Sequence, residues 1–396
     1  MTARPDPRVA LAADSDPRAA VAVARRLVVK VGSASLTTAS GGLDESRLDA
    51  LVDALAGSAA WSGELVLVSS GAIAAGLAPL GLARRPRDLA RQQAAASVGQ
   101  GVLVASYRRS FARHGRTVGQ VLLTAEDVVR RAHHRNAQRA LQTLLALRVV
   151  PVVNENDTVA TDEIRFGDND RLAALVAQLV RADALLLLSD VDALYDRAPS
   201  LPGARRIGMV ADAGAIDLAA LRAAATKAGS ESLGTGGIAT KVGAAAIATA
   251  AGIPVVLAGA ADAVSALAGT GVGTAFRAGG RRFPARLAWL AYASQPTGRL
   301  RLDAGAVRAV VGRRASLLAA GVTAVEGSFN AGDPVDLIGP DGVVVARGLS
   351  TYDASELAPL LGRSSHELAE RFGADRAREL VHRDALALLG APAAGP

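Results

Sequence analysis

The sequence predicts an α/β fold: a three-layer αβα sandwich around a mainly parallel sheet, then a small β-barrel-like domain. Three observations carry this. Between residues 26 and 260, short apolar runs of strand length alternate with longer segments of helical period. Runs without a polar face are what a parallel sheet covered on both sides requires. Several of these runs end in a small polar cluster, as strands feeding a ligand site do. Near residue 285 the pattern changes to short strands separated by glycine turns.

Residues 1–25, mostly Ala, Arg, Asp and Pro, read as a disordered tail. Residues 27–31 form a buried strand ending at Gly32, and 44–57 an amphipathic helix. Residues 65–68 form a strand closed by Ser69-Ser70-Gly71, and 88–114 a long helical region. Residues 149–153 lead into Asn154-Glu155-Asn156-Asp157, with helix over 168–181. Residues 184–188 run into Ser189-Asp190, residues 240–251 are helical and 254–257 a further strand. Residues 286–292 read as a last strand and 294–298 as a linker. Strands then fall at 299–302, 322–326, 334–338 and 343–349, with helices over 353–361 and 365–389. The expected division is a first domain over 26–293, a second over 299–375, and a C-terminal helix and tail over 376–396.

The absence of cysteine excludes disulfides, thiolate zinc sites and a cysteine nucleophile. Pro5, Asp6 and Pro7 stand where a signal peptide needs an apolar stretch. Residues 242–261 carry no charge, yet they are Ala- and Gly-rich and broken at Gly252-Ile253-Pro254. That suits a buried helix, a turn and a strand better than a membrane span. The expectation is a cytoplasmic protein with no membrane partner. The net charge is +7, and residues 299–396 hold 11 Arg against 12 Asp and Glu, so the excess lies earlier. Scattered basic residues and 3% aromatics suit an anionic small substrate as well as nucleic acid.

Of 44 basic residues, only Lys30, Lys227 and Lys241 are lysine. A chain that uses Arg for ordinary cations keeps Lys where a compact ammonium is needed. Lys30 and Lys241 lie beside Gly-bearing turns, whereas nothing around Lys227 suggests such a need. A Walker A loop is excluded, because no Lys follows a Gly. Gly234-Thr235-Gly236-Gly237-Ile238-Ala239 has the dinucleotide spacing but follows no strand. It leads instead to Thr240 and Lys241, giving a glycine loop with hydroxyls and a cation suited to polyphosphate. Ser70-Gly71-Ala72 opens a helix and offers backbone N–H groups to an anion. Together these features favour phosphoryl transfer.

Lys30-Val31-Gly32-Ser33 and Ser69-Ser70-Gly71-Ala72-Ile73-Ala74-Ala75-Gly76 resemble the amino acid kinase family. Asn154-Glu155-Asn156-Asp157-Thr158, Phe166-Gly167-Asp168-Asn169-Asp170 and Leu233-Gly234-Thr235-Gly236-Gly237-Ile238-Ala239-Thr240-Lys241 resemble its glutamate 5-kinase branch. Gly305-Ala306, Ser316-Leu317-Leu318, Gly327-Ser328-Phe329 and Gly348-Leu349-Ser350 are similar to the PUA domain carried by many of those enzymes. The resemblance implies phosphorylation of the glutamate γ-carboxylate by ATP, with Mg2+ bridging the phosphates. It implies that Lys30 and Lys241 hold the phosphates and that Asp170 orients them. Asp157 would take the glutamate ammonium, with Ser70, Asn154 and Asn169 donating to its carboxylates and Asp168 nearby. Gly32, Ser33, Ser189, Asp190, Thr235, Gly236, Gly237, Ile238, Ala239 and Thr240 would meet the nucleotide. Asp168 has a second reading as a helix cap, and Ser189 as a turn residue. No metal ligand from the protein is expected. Proline as an inhibitor and a dimer or tetramer are implied too. Ser33 and Ser189 replace the more usual Thr, and Ala34 replaces a position that is often hydroxylated. A kinase for another small acid and an RNA-binding PUA protein are the alternatives. The net charge of the second domain and its lack of a basic stripe count against RNA.

Overall fold

The computed structural model describes residues 16–38, 42–57, 63–124, 127–128, 131–159, 169–197, 199, 202–216, 237–279, 287, 290–291, 294, 296–373 and 378–389. Its contacts divide into two units, residues 1–285 and 286–396.

The first unit contains β1 (Arg26–Val31), β2 (Glu64–Ser69), β3 (Val118–Leu123), β4 (Val150–Glu155), β5 (Ala184–Ser189), β6 (Leu194–Tyr195), β7 (Arg206–Ile207), β8 (Met209–Val210), β9 (Val255–Gly259) and β10 (Thr274–Phe276). Eight of these form one sheet in the order β3-β4-β2-β1-β5-β9-β10-β8, and β6 pairs with β7 apart from it. Every pairing from β3 across to β9 is parallel. β10 runs antiparallel to β9. The helices are α1 (Pro17–Ala22), α2 (Glu45–Gly57), α3 (Ala72–Leu77), α4 (Leu89–Ala112), α5 (Arg131–Ala146), α6 (Asn169–Val180), α7 (Ile238–Ala250) and α8 (Ala263–Leu267).

The period of two along each strand decides what faces what. Leu27, Val29 and Val31 of β1 join a core with Leu48 and Leu55 of α2, Leu103 and Tyr107 of α4, and Leu267 of α8. Val28 and Lys30 therefore point to the opposite face, where α6 packs on β1, β2, β4 and β5 and against α7. The sheet is covered on both faces, as the unbroken apolar runs required.

Helices α3 and α4 meet backbone to backbone through glycine. A Cβ at Gly99 would lie 1.8 Å from the Ala72 carbonyl oxygen, and one at Gly76 2.0 Å from that of Ala95. Gly99→Ala is accordingly expected to cost about 1–3 kcal/mol or more through overpacking. A thermal midpoint equal to that of the unsubstituted protein would contradict this packing.

Residues 16–25 depart from the expected loose tail. Asp16 caps α1, and the buried Arg18 reaches the carbonyls of Gly208, Val272 and Gly273 at 2.7–2.9 Å. Three carbonyls from the far edge of the sheet hold one guanidinium, which pins α1 in place. The rest of that tail, residues 1–15, lies outside the described residues.

The second unit has its own sheet, formed by β11 (Gly298–Leu302), β12 (Val322–Gly327), β13 (Pro334–Ile338), β14 (Val344–Leu349) and β15 (Leu386–Leu388), in the order β12-β11-β13-β14-β15. Leu300, Leu302, Val335, Leu337 and Tyr352 lie in its core. Two expectations fail here. Leu290 and Ala291 are helical rather than extended, and they pack against Ala387. The helix expected over 365–389 stops at Phe372, because Gly373 takes φ 88° and ends it. The described part of the expected C-terminal helix and tail instead carries β15, which pairs antiparallel with β14.

Candidate active site

The polar clusters read from the sequence fall side by side. β4, β2, β1 and β5 are neighbours, so Asn154, Ser69-Ser70, Lys30-Gly32 and Ser189-Asp190 line the carboxyl edge of four adjacent parallel strands. Backbone bonds knit the edge: Ser70 N–H donates to the Val31 carbonyl and Gly32 N–H to that of Leu188. Gly71, at φ 110°, makes the turn from β2 into α3, a conformation that favours glycine.

Helix α6 brings its first turn to this edge, and two adjacent residues reach in different directions. Asp170 is fully buried. Its Oδ1 lies 2.5 Å from Lys30 Nζ on β1, and its Oδ2 lies 3.3 Å from Lys241 Nζ on α7. Thr240 Oγ1 donates to Oδ2 at 3.1 Å. Both lysines are 3% exposed. Burial would push the Asp170 carboxyl up; the Lys30 and then the Lys241 ammonium reverse this and hold it below the usual carboxylate range. One carboxylate thus fixes two buried ammoniums that come from different layers of the sandwich.

Asn169 reaches the other way. Its Nδ2 donates to Asn154 Oδ1 at 2.7 Å, Ser70 Oγ at 2.9 Å and the Ser69 carbonyl at 3.1 Å. Three acceptors inside the protein compete for its two hydrogens, so Asn169 organises its neighbours rather than offering a free donor. Ser70 Oγ accepts from Asn169, and its own hydrogen remains to donate. Ser69 Oγ donates to the Ser70 carbonyl at 2.9 Å and lies 2.8 Å from Tyr107 Oη. With the Ser69 hydrogen engaged, Tyr107 is the donor. Burial pushes its phenol up, against the smaller opposite effect of the Ser69 bond.

The other expected residues divide. Asp157 follows β4 in a turn and is half-buried. Gly32 starts the turn after β1, and a Cβ there would lie 3.7 Å from Lys30 Nζ; Ser33 follows it. Ser189 is buried and donates to Asp190 Oδ1 at 2.8 Å, so its hydroxyl is engaged locally. Gly237 caps α7, and Ile238, Ala239, Thr240 and Lys241 form its first turn. Asp168, Thr235 and Gly236 lie outside the described residues.

The amino acid kinase family model matches residues 25–259, more than half of the chain, and the PUA domain model matches 298–372. The chain belongs to the amino acid kinase family. It is 64% identical over 373 residues to a glutamate 5-kinase of Streptomyces avermitilis, covering 94% of this chain and 98% of the relative. A glutamate 5-kinase of Salinispora arenicola is 64% identical over 369 residues, covering 93% and 99%. Among solved structures, a carbamate kinase from Giardia lamblia bound to AMP-PNP aligns with 17% identity and a TM-score of 0.46. It covers 65% of this chain and 100% of its own, and that score is too low to add to the argument.

Two buried polar residues that bond to this cluster were not foreseen from the sequence. Gln100 and Tyr107 both stand on the buried face of α4, with Leu103 between them. The signal for them is a polar group on the apolar stripe of a long helix, which must bond to something inside.

Proposed function

We propose that this chain is an ATP-dependent glutamate 5-kinase, transferring the γ-phosphoryl group of ATP to the γ-carboxylate of L-glutamate. The products are γ-glutamyl phosphate and ADP, the first step towards proline. The observation that carries this is the Asn169-Asp170 pair. It joins an ammonium pair suited to phosphates to an amide and hydroxyl set suited to a small carboxylate. The 64% identity to named glutamate 5-kinases supports the choice of acid.

The nucleophile is a carboxylate, already ionised near neutral pH, so no general base is needed. A carboxylate oxygen attacks the γ-phosphorus, the bond to the bridging oxygen breaks, and ADP leaves. Catalysis is then positioning and charge stabilisation. Lys30 and Lys241 hold the β- and γ-phosphates and offset charge as it develops, while Asp170 keeps both ammoniums in place. Gly32, Ser33, Asp190 and the first turn of α7 border the nucleotide. The donor chemistry at this edge fits an ATP whose Mg2+ is carried on its own phosphate oxygens. Among the described residues no cluster of three His, Asp or Glu could hold a metal. The same reading extends to proline competing at or near the glutamate site, and to a dimer or tetramer.

Asp157 is the partner of the glutamate ammonium, since a carboxylate facing only carboxylates would repel the substrate. Asp157→Asn is expected to raise the glutamate KM by about tenfold or more, with the ATP KM little changed. Unaltered glutamate dependence would refute that role. The function itself is tested by ADP release from Mg-ATP with hydroxylamine present to trap acyl phosphate. Glutamate, aspartate, acetylglutamate and bicarbonate plus ammonia are compared. Hydroxamate from glutamate alone is expected. Turnover with none of them, in folded protein that binds ATP, would reject the reading and bring RNA binding by the second domain forward.

A further inference from the structure

The amide relay behind Ser70 has a direction, and two backbone groups set it. The Ser69 carbonyl can only accept, so Asn169 must turn its NH2 group towards it. That NH2 also reaches Asn154 Oδ1. The Glu155 N–H, which can only donate, meets the same Oδ1 at 2.9 Å. Asn154 therefore keeps its oxygen on the protein side and turns its NH2 to Gln100, whose Oε1 accepts at 2.8 Å. Two bonds to Asn154 Oδ1 hold one end of the amide. The Gln100 bond holds the other end, at the nitrogen.

Gln100 is 8% exposed, and its own Nε2 has no partner among the described residues. A buried amide donor without an acceptor is destabilising, and a methionine of similar volume would remove it while leaving one Asn154 N–H without its acceptor. Among the described residues, it is the acceptor of this glutamine that is used.

We propose that Gln100 is a positioning residue that sets substrate affinity through Asn154. By taking one Asn154 N–H, it holds the nitrogen end of an amide whose direction the backbone has set, and leaves the second N–H as a donor for a substrate carboxylate. The proposal rests on the glutamate 5-kinase reading, in which Asn154 meets the substrate.

The test is steady-state hydroxamate formation by Gln100→Met, Gln100→Glu, Asn154→Ala and the Gln100→Met/Asn154→Ala double variant, with thermal midpoints for each. Gln100→Met is expected to raise the glutamate KM about tenfold, with kcat and the ATP KM within about twofold. Its thermal midpoint should lie close to that of the wild type, because the unpaired Gln100 donor leaves with the side chain while one Asn154 N–H loses its acceptor. Gln100→Glu retains the acceptor and should recover part of the affinity, the rest being lost to repulsion between its buried carboxylate and that of the substrate. The double variant should be no worse than Asn154→Ala alone, since the effect passes through that residue. An unchanged glutamate KM in Gln100→Met overturns the proposal, and so do additive losses in the double variant. A lowered midpoint with kcat and both KM values moving together would make Gln100 a packing residue and overturn it too. Wild type that forms no glutamate hydroxamate rejects the function itself, and this role with it.

Discussion

Lys241→Met is expected to lower kcat by about two to three orders of magnitude, the scale lost when one preorganised donor to a developing charge is removed. The glutamate KM should move by less than about threefold. Methionine keeps the apolar stem in its buried channel, so what is removed is the ammonium 3.3 Å from Asp170 Oδ2. Lys241→Arg should recover little of the loss. A planar guanidinium cannot replace a compact charge in a buried slot that already holds a second cation and Thr240. The composition points the same way, since 41 of the 44 basic residues are arginine and yet this position is not. Steady-state kinetics with hydroxylamine trapping decides it. A raised KM with kcat untouched would make Lys241 a binding residue only.

In the first unit, the strands legible in the sequence were those whose residues are apolar on both faces. β1, β2, β4, β5 and β9 announce themselves as unbroken apolar runs, because the centre of a covered parallel sheet admits little else. β3 lies at the sheet edge, and its Gly119 and Gln120 interrupt the run, so no strand could be read there. α5 opens with Arg131, His133, His134 and Arg135, too polar to show an apolar stripe at its start. α1 was hidden for another reason: the partners that order Arg18 lie 190 or more residues away. β15 likewise depends on β14 beside it, and nothing local distinguishes Leu386–Leu388 from the end of a helix.

The candidate site divides along the same line. Lys30 and Lys241 were legible through scarcity and Asp170 through its motif, yet no spacing shows that one carboxylate serves both lysines. That follows only once β1, α6 and α7 are brought to one edge. Gln100 was illegible because its role is a hydrogen bond to a residue 54 positions away.

The same convergence makes Asp170→Asn the most disruptive single change at the site. In the folded protein the two ammoniums outweigh burial and hold the Asp170 carboxyl below its ordinary value. In the unfolded chain it titrates near 3.9. A depressed folded pKa means that the stabilisation is fully present above the unfolded value and is lost as pH falls through the folded one. Near neutral pH the asparagine variant is therefore expected to be less stable by about 3–5 kcal/mol, the cost of leaving buried charge without its partner. The deficit should narrow as pH falls below about 4. It should vanish once Asp170 in the unsubstituted protein is protonated, because both proteins then hold two ammoniums around a neutral group. Urea unfolding at neutral pH and at two acidic values measures this. A deficit of equal size at every pH would show that the loss comes from packing rather than charge. Activity should fall with stability at neutral pH and stay low where the variant is still folded. Asparagine cannot hold two like charges together, and without that anchor the lysines no longer meet the phosphates as a pair.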